Sequence, residues 1–374
     1  MRRIGILMLV VFFCFVSKAW PQAQTKPQII TFDAPGAGTG PGQGTWAYGA
    51  NEGGLIPVLG YYMDSEGVYH AFLLSVDGKF TTFEAPGAGT GPNQGTIVYG
   101  VTPEGWSTGN YADAQDNHHG FLRDTKGNFT IFNVLNAGTG AGQGTFAGNM
   151  NPKGEISGSF IDGSGVSHGF IRERDGKIST FDVSIAGTGA GQGTALAWVT
   201  GMNHEGAITG WYFDETGAYH GFVRQPDGRI ITFDAPGADR TLSGVGTYGT
   251  AVNAEGVISG GYPDQNGSYR SFLRTPDGKF FSFEAANAGL GFGQGTFAQG
   301  INPSNNVPGF VLDANNVYHG FLYTPHGEVT VFDVPAAGTS ALQGTEPVTI
   351  SPSGVATGFY VDGNGVSHGF QRIP

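Results

Sequence analysis

A phenylalanine followed by Asp, Glu or Asn recurs along this chain with a nearly fixed period, each time at the end of an extended run. The seven copies are Phe32, Phe83, Phe132, Phe181, Phe233, Phe283 and Phe332. Successive copies lie 51, 49, 49, 52, 50 and 49 residues apart. A period near fifty residues is typical of propellers and repeat arrays, in which each repeat is one supersecondary unit. The period therefore constrains the architecture more than it constrains any ligand.

Each period contains four short segments rich in β-branched and aromatic residues, which predict strands. In the fourth repeat the predicted strands are Leu196 to Thr200, Ala207 to Phe213, His220 to Gln225 and Arg229 to Asp234. Asn and Gly, or Asp and Gly, lie between the segments and predict tight turns. Four antiparallel strands in each of seven repeats predict an all-β fold, a seven-bladed β-propeller.

The two ends of the chain complement each other. The last repeat stops after Gln371 to Pro374, just past its third strand, whereas Ile29 to Asp33 matches the outer-strand sequence Ile230 to Asp234 almost letter for letter. We predict that this N-terminal strand completes the last blade and closes the ring, which leaves no exposed sheet edge. An open β-solenoid is the alternative, but its coils are usually shorter and it requires end caps.

Residues 1–23 have the pattern of a signal peptide, and residues 24–374 are predicted to form one propeller domain. Arg2 and Arg3 precede an apolar run, and small residues place the cleavage after Ala19 or Ala23. The run is too short to span a bilayer, so we expect a secreted, periplasmic or cell-surface protein with no transmembrane segment in the mature chain. Cys14 lies within this run, and the mature chain therefore has no thiol.

The charge balance argues against a nucleic-acid partner. Cleavage removes three basic residues and leaves 15 basic against 30 acidic residues, whereas phosphates require a basic surface. An acidic surface is compatible with bound cations, basic partners or neutral glycans, and it also serves solubility.

A second motif lies in the third strand of each repeat. Its copies begin at His70, His119, His168, His220, His319 and His368, each followed by Ala or Gly and then Phe, while the fifth repeat has Arg270-Ser271-Phe272. In this motif the chain resembles the extracellular repeat proteins named for a His-Ala-Phe core, the HAF repeats. The resemblance covers nearly all of the mature chain. It implies an exported repeat protein and implies no particular activity.

An aspartate precedes each of these positions by six residues. The seven aspartates are Asp64, Asp113, Asp162, Asp214, Asp264, Asp313 and Asp362. The constant feature is a carboxylate facing a hydrogen-bond donor across a hairpin loop, because His and Arg both donate to carboxylate while Arg is no metal ligand. We therefore interpret the pairs as structural and predict no metal at the histidines.

A glycine-rich loop follows each outer strand, as in the sequence from Pro35 to Thr45. Phosphate-binding loops open a helix and carry a Lys or an acid at set distances, and neither context is present here. Glycines permit positive φ in a long connection. Each loop except the fifth contains a glutamine predicted to bond the loop backbone, or alternatively to line a polar site for sugar hydroxyls: Gln43, Gln94, Gln143, Gln192, Gln294 and Gln343.

No cofactor is predicted, although calcium is a possible ligand. Its oxygen ligands could come from the acids that follow the repeated Phe, together with loop carbonyls. These acids are Asp33, Glu84, Asp182, Asp234, Glu284 and Asp333. No loop contains the dense alternating acids of an EF-hand.

Departures from the repeat are the best candidates for a binding site. Counting back from each inner turn predicts a ring of Trp46, Ile97, Phe146, Trp198, Tyr248, Phe297 and Glu346. Aromatic residues there pack between blades or provide a platform for sugars. The fifth repeat carries Asp239 and Arg240 in place of the glycine pattern. We predict ligand-binding residues among Asp239, Arg240, Glu346, Trp46, Trp198 and Tyr248, although drift between copies also explains the breaks.

The sequence contains no convincing catalytic constellation, so no catalytic residue is predicted. Asp239, Arg240 and Glu346 form the one grouping that could supply an acid and a base. The sequence favours an exported binding or scaffold module, which could recognise an extracellular glycan or a surface protein. A polysaccharide lyase or glycoside hydrolase acting at the propeller channel and a purely structural surface protein are the alternatives.

Overall fold

The computed structural model describes residues 26–49, 58–197, 199–241 and 243–374. These residues form 28 β-strands in one hydrogen-bonded sheet and contain no helix, which confirms the all-β prediction. It follows that they include no apolar helix of the length needed to cross a membrane. The predicted signal peptide and Trp198 lie outside the described residues.

The strands occupy four positions, each filled once per repeat. First strands are β2 Gly44–Gly49, β6 Gly95–Val101, β10 Gly144–Met150, β14 Gly193–Leu196, β18 Tyr248–Val252, β22 Gly295–Ala298 and β26 Gly344–Ile350. Second strands are β3 Val58–Met63, β7 Ser107–Ala112, β11 Ile156–Ile161, β15 Ile208–Phe213, β19 Ile258–Pro263, β23 Val307–Leu312 and β27 Ala356–Val361.

Third strands are β4 Tyr69–Leu74, β8 His118–Arg123, β12 Ser167–Arg172, β16 Tyr219–Arg224, β20 Tyr269–Arg274, β24 Tyr318–Tyr323 and β28 Ser367–Ile373. Fourth strands are β5 Phe80–Phe83, β9 Phe129–Phe132, β13 Ile178–Phe181, β17 Ile230–Phe233, β21 Phe280–Phe283, β25 Val329–Phe332 and β1 Gln28–Phe32. Strands at successive positions pair antiparallel, and β1 pairs antiparallel with β28.

Neighbouring repeats meet where a first strand begins beside the third strand of the preceding repeat. Gly95 pairs in parallel with Tyr69, and Gly44 pairs in the same way with Ser367 of the last repeat. At Gly44 a Cβ would lie 2.0 Å from the Ser367 carbonyl oxygen, and φ is +116°. Only glycine permits this approach and this conformation, which explains why glycine opens six of the seven first strands and lies two residues before β18.

The core lies between adjacent repeats. The phenylalanine of each His-Ala/Gly-Phe motif and Phe272 of the fifth repeat are fully buried. In six repeats the phenylalanine of the preceding outer strand packs edge-on against this ring, as Phe83 packs on Phe121 at 6.2 Å between ring centroids. In the second repeat the guanidinium of Arg123 covers Phe83 at 4.5 Å. Tyr323 takes this place in the sixth repeat, stacked on Phe283 at 4.0 Å. Each repeat therefore completes the core of its neighbour.

Buried threonines tie the outer strands to the inner ones. The Ala34 N–H donates to Thr45 Oγ1 at 3.0 Å, and the same bond recurs in all seven repeats. Each threonine is fully buried, so this bond satisfies a backbone donor that has no strand partner. The Thr of the repeated Gly-Thr pair is therefore a structural residue.

The first strand predicted in the fourth repeat, Leu196 to Thr200, is wrong. The observed strand β14 ends at Leu196 instead of beginning there. The fourth repeat is longer than its neighbours, and its extra residues follow the strand, where the Thr209 N–H donates to the Gly201 carbonyl at 2.8 Å. The prediction placed the strand next to the following turn, whereas the extra residues lie between the observed strand and that turn. The ends of the other three strands of this repeat differ from the predicted ends by one residue at most.

Candidate functional site

Because successive strands alternate in direction, the connections between them fall at two ends of every repeat. The glycine-loop end carries the glycine-rich loops and the Asp-to-His hairpins between second and third strands. The asparagine-turn end carries the turns between first and second strands. At the glycine-loop end the Gly38 N–H donates to the Met63 carbonyl at 2.8 Å, and Gly42 donates to Gly365 at 2.8 Å. The glycine-rich loops and the Asp-to-His hairpins therefore share one end.

The repeated glutamines brace the glycine loops. Gln43 Oε1 accepts the Gly40 N–H at 2.9 Å, and its amide donates to the Ser65 carbonyl at 3.2 Å. The bond from loop amide to glutamine oxygen recurs at Gln94, Gln143, Gln192, Gln294 and Gln343. These six side chains hold the loop backbone, as the structural interpretation predicts.

Each His-Ala/Gly-Phe motif places its basic side chain between two acceptors. His70 Nε2 lies 3.0 Å from Asp64 Oδ2, and Nδ1 lies 2.6 Å from Glu84 Oε1. The predicted pairs His119–Asp113, His168–Asp162, His220–Asp214, His319–Asp313 and His368–Asp362 are all present, at 3.1 to 3.6 Å. Arg270 likewise contacts Asp264 at 3.3 Å and Glu284 at 3.4 Å. Because Arg preserves both contacts, a hydrogen-bonding role explains every copy.

The second acceptor is the residue after the repeated Phe, and sequence analysis considered six of these seven residues as possible calcium ligands. Asp182, Asp234, Asp333 and Asp33 each face a histidine Nδ1 at 2.8 to 3.0 Å. These oxygens are therefore directed at ring nitrogens. Within the described ranges, no group of three or more His, Cys, Asp or Glu side chains is arranged to hold a metal ion. The 14-residue spacing from His to this acid is the sequence signal that could have identified the pair.

Hydrogen bonding sets the protonation of these groups. The Glu84 carboxylate raises the pKa of His70, against the opposing effect of burial. For Asp64, burial raises the pKa, but bonds from the Val68 and Glu66 amides and from His70 outweigh it and leave the pKa below its usual value. The pKa values of the equivalent carboxyls are lowered in the same way at Asp113, Asp162, Asp214, Asp313 and Asp362. These carboxylates are ionised at neutral pH.

Six of the seven residues predicted to occupy equivalent positions follow the Gly-Thr pair of their repeats: Trp46, Ile97, Phe146, Tyr248, Phe297 and Glu346. The fourth predicted member, Trp198, lies outside the described residues. Ala195 fills the equivalent position, in register with Trp211, because the insertion follows the strand. Phe297 lies between Tyr269 at 4.6 Å and Phe310 at 4.8 Å, which places the stacked side chains at the junction of two repeats. All seven side chains remain partly exposed.

The grouping of Asp239, Arg240 and Glu346 is not formed by the described contacts. Arg240 pairs with Asp234 at 3.0 Å, and Asp239 accepts hydrogen bonds from Thr241. Both line an exposed depression of the fifth glycine loop. Glu346 lies instead on the first strand of the last repeat, where its electrostatic neighbours are tyrosines. An acid and a base are therefore not brought together by these three residues.

The asparagine-turn end is held by amide side chains. Asn203 Oδ1 accepts from the Glu205 and Ala207 amides of its own turn, and Nδ2 donates to the Asn253 carbonyl of the next repeat at 2.8 Å. Asn253 donates to the Asn302 carbonyl at 3.2 Å, and Asn302 donates to Ser351 at 3.0 Å. Sequence analysis identified these asparagines as turn residues but missed the chain of bonds between repeats.

A cavity of about 660 Å³ opens at this end. Its wall takes residues from six of the seven repeats, including Thr200, Asn203, Asn253, Asn302, Thr349 and Ser351. Among the described residues that line it, none is Asp, Glu, Lys or Arg, and His204 is the one titratable side chain. The described part of the wall can donate and accept hydrogen bonds and carries no acidic, lysine or arginine side chain. The cavity therefore suits a neutral polar ligand.

The known proteins most informative about this chain are solved structures. The β-propeller domain of the Trilobed protease from Pyrococcus furiosus matches with 9% identity and a TM-score of 0.54, over 87% of this chain and 95% of that chain. TolB from Acinetobacter baumannii matches with 11% identity and a TM-score of 0.44, over 85% of this chain and 65% of that one.

A fucose-specific lectin from Aleuria aurantia matches with 12% identity and a TM-score of 0.40, over 73% of this chain and 89% of that chain. No family model and no curated protein matches the sequence. Identities this low bear on the fold alone, and the first of these structures carries that argument. The chain has a β-propeller fold.

Proposed function

We propose that this chain is an exported, non-enzymatic binding module, a closed seven-bladed propeller that binds an uncharged extracellular or cell-surface glycan at the asparagine-turn end. The observation that carries this proposal is that the described lining residues offer hydrogen-bonding groups and no acidic, lysine or arginine side chain. Sugar hydroxyls exchange hydrogen bonds with amides and hydroxyls and require no fixed charge. Export rests on the N-terminal sequence pattern.

Ring closure is supported by contacts between the first and last repeats. The β1–β28 pairing has Thr31 opposite Phe370, and Asp33 accepts from His368 Nδ1 at 2.8 Å. Phe32 packs against the core cluster that contains Phe72. The first two contacts repeat those within every other repeat, as between His70 and Glu84, and the third repeats the packing of an outer strand on the next repeat. The N-terminal strand therefore contacts both the last repeat and the first.

A disulfide across this junction tests closure. Ile30 and Gln371 are register partners, and the mature chain is predicted to contain no other thiol. We expect Ile30→Cys with Gln371→Cys to oxidise readily and to raise the free energy of unfolding by up to about 5 kcal/mol, because the crosslink closes almost the whole chain. A single-cysteine Ile30→Cys variant is the control. Failure of the pair to crosslink would argue for an open assembly.

Ligand binding is tested on a glycan array with two adjacent turn variants. Ala254 and Glu255 are both exposed, but only Ala254 lines the cavity. We expect Ala254→Trp to abolish glycan binding without a change in Tm, and Glu255→Trp to bind as the parent protein does.

The outcomes of this test separate the candidate functions. If the parent protein binds no glycan, or if Ala254→Trp binds normally, the proposed site is wrong. Bound glycan released with new reducing ends or unsaturated products would favour the lyase or hydrolase alternative. Envelope association without any saturable ligand would favour a structural surface protein.

A further inference from the structure

Glu346 occupies a position that other repeats fill with apolar or aromatic residues. Its equivalents include Trp46, Phe146 and Phe297, and like them it follows the Gly-Thr pair near the glycine-loop end. The side chain is partly exposed. Among the described residues, no lysine, arginine or histidine pairs with it, and no donor bonds its carboxylate. A carboxylate without a partner in this setting is unfavourable for the free protein.

Several aromatic residues lie near this carboxylate. Glu346 is the register partner of Phe359 on the adjacent strand, and the Phe359 ring lies 6.5 Å from that of Trp46. Trp46 stacks on Tyr61 at 5.3 Å. Tyr318 of the preceding repeat also lies within electrostatic range of Glu346. The rings therefore belong to the first, sixth and last repeats, and each is partly exposed.

A single carboxylate among aromatic rings favours a ligand that is positively charged and weakly hydrated. Aromatic faces and a carboxylate both attract a positive charge, and the chain as a whole carries a net charge of −12. Calcium and magnesium require several oxygen ligands, whereas Glu346 is the one carboxylate in this group. A weakly hydrated organic cation needs no such set of oxygens and can contact the rings directly.

We propose that Glu346 and the rings of Trp46, Tyr61 and Phe359 form a binding site for an alkylated ammonium group. The cation would lie against the rings with its charge facing the carboxylate. This site is distinct from the cavity at the asparagine-turn end, so either proposal can fail without the other.

The expected affinity depends on pH through Glu346. Burial raises the pKa of Glu346 to about 7, so the carboxyl is mostly neutral at pH 6 and mostly ionised at pH 8. The titratable groups that face it are Tyr48, Tyr61 and Tyr318, whose pKa values are all raised, first by burial. These phenols stay neutral over this range, and Glu346 alone changes charge.

Calorimetry with a pair of isosteric probes tests the proposal. Choline carries the quaternary ammonium group, and 3,3-dimethylbutan-1-ol has the same shape without the charge. At pH 8 we expect saturable choline binding that is at least tenfold tighter than binding of the alcohol. The affinity for choline should fall severalfold at pH 6.

Three variants sharpen this test. Glu346→Gln should weaken choline binding at least tenfold and remove its pH dependence, and Trp46→Leu should weaken it at either pH. Glu104→Gln, at an exposed turn remote from the rings, should bind as the parent protein does. Thermal unfolding confirms that each variant is folded. Equal affinity for the two probes, unchanged binding by Glu346→Gln, or no binding of choline by the parent protein would each overturn the proposal.

Discussion

The two ends of the propeller connect the same strands, but the polar side chains at each end find their hydrogen-bond partners in different ways. At the asparagine-turn end, amide side chains such as Asn203 satisfy both their own turn and the next repeat. At the glycine-loop end, histidines and carboxylates satisfy one another around the rim, but Glu346 has no such partner among the described residues. The comparison teaches that a repeat fold can satisfy its polar groups by neighbour contacts at one end and leave one group available at the other.

The asparagine chain should contribute most to stability, and Asn253→Ala tests it. Asn253 is buried; its Oδ1 accepts from the Val257 amide at 2.9 Å, and its Nδ2 donates to the Asn302 carbonyl and to Asn305. Alanine leaves buried backbone groups unsatisfied, so we expect the free energy of unfolding to fall by about 3 kcal/mol. Denaturation in urea measures this loss.

Serine at the same position separates the two roles of Asn253. The last repeat already uses Ser351, whose Oγ accepts the Val355 amide at 3.1 Å. Asn253→Ser should therefore retain the bond within the turn, lose the bond to the next repeat and destabilise less than alanine. If both variants unfold like the parent protein, the chain of amides does not hold the repeats together.

At the glycine-loop end, Glu346→Gln should instead stabilise the protein, and only at high pH. The pKa of Glu346 is raised from 4.5 to about 7 in the folded chain. The folded state therefore binds more protons than the unfolded state between these values, and stability falls as pH rises through this range. Glutamine does not ionise, so the Glu346→Gln variant does not lose this stability as pH rises.

We expect a gain of about 2 kcal/mol at pH 8 and almost none at pH 4, near the unfolded pKa. Unfolding curves at the two pH values measure the difference, and Glu104→Gln is the matched control. A variant that gains stability and loses choline affinity would show that the carboxylate is retained for binding at the expense of stability. Equal unfolding curves at pH 8 would mean that Glu346 is well solvated in the folded protein.

Repetition made much of this architecture readable from the sequence. The Asp-to-His pairs were predictable because a six-residue spacing recurs in all seven copies, and the single exchange of His for Arg270 favoured a structural role over metal binding. The sequence did not predict that Ala195 occupies the position equivalent to Trp46, because counting back from the turn cannot locate an insertion within the repeat. The asparagine bonds and the neutral cavity also escaped prediction, since they depend on contacts between residues about fifty positions apart.

The histidine–carboxylate contacts of the glycine-loop end should have the smallest effect on the free energy of unfolding, and His220 is the position to test. Its nitrogens lie 2.8 Å from Asp234 and 3.4 Å from Asp214, and its ring stacks on Tyr212 at 5.0 Å. His220→Ala should lower the free energy of unfolding by about 1 kcal/mol, because these partly exposed contacts are lost, and Asp214→Ala should do similar damage.

His220→Arg provides the matched comparison, since Arg270 already bridges two carboxylates in the fifth repeat. We expect it to unfold closer to the parent protein than the alanine variant does, and all three variants to keep their affinity for choline and glycan. If His220→Ala lost ligand binding at an unchanged Tm, the histidines of the His-Ala/Gly-Phe motifs would have to be assigned to ligand binding and not to stability. That result would also extend the recognition surface of the glycine-loop end from Glu346 out to its edge.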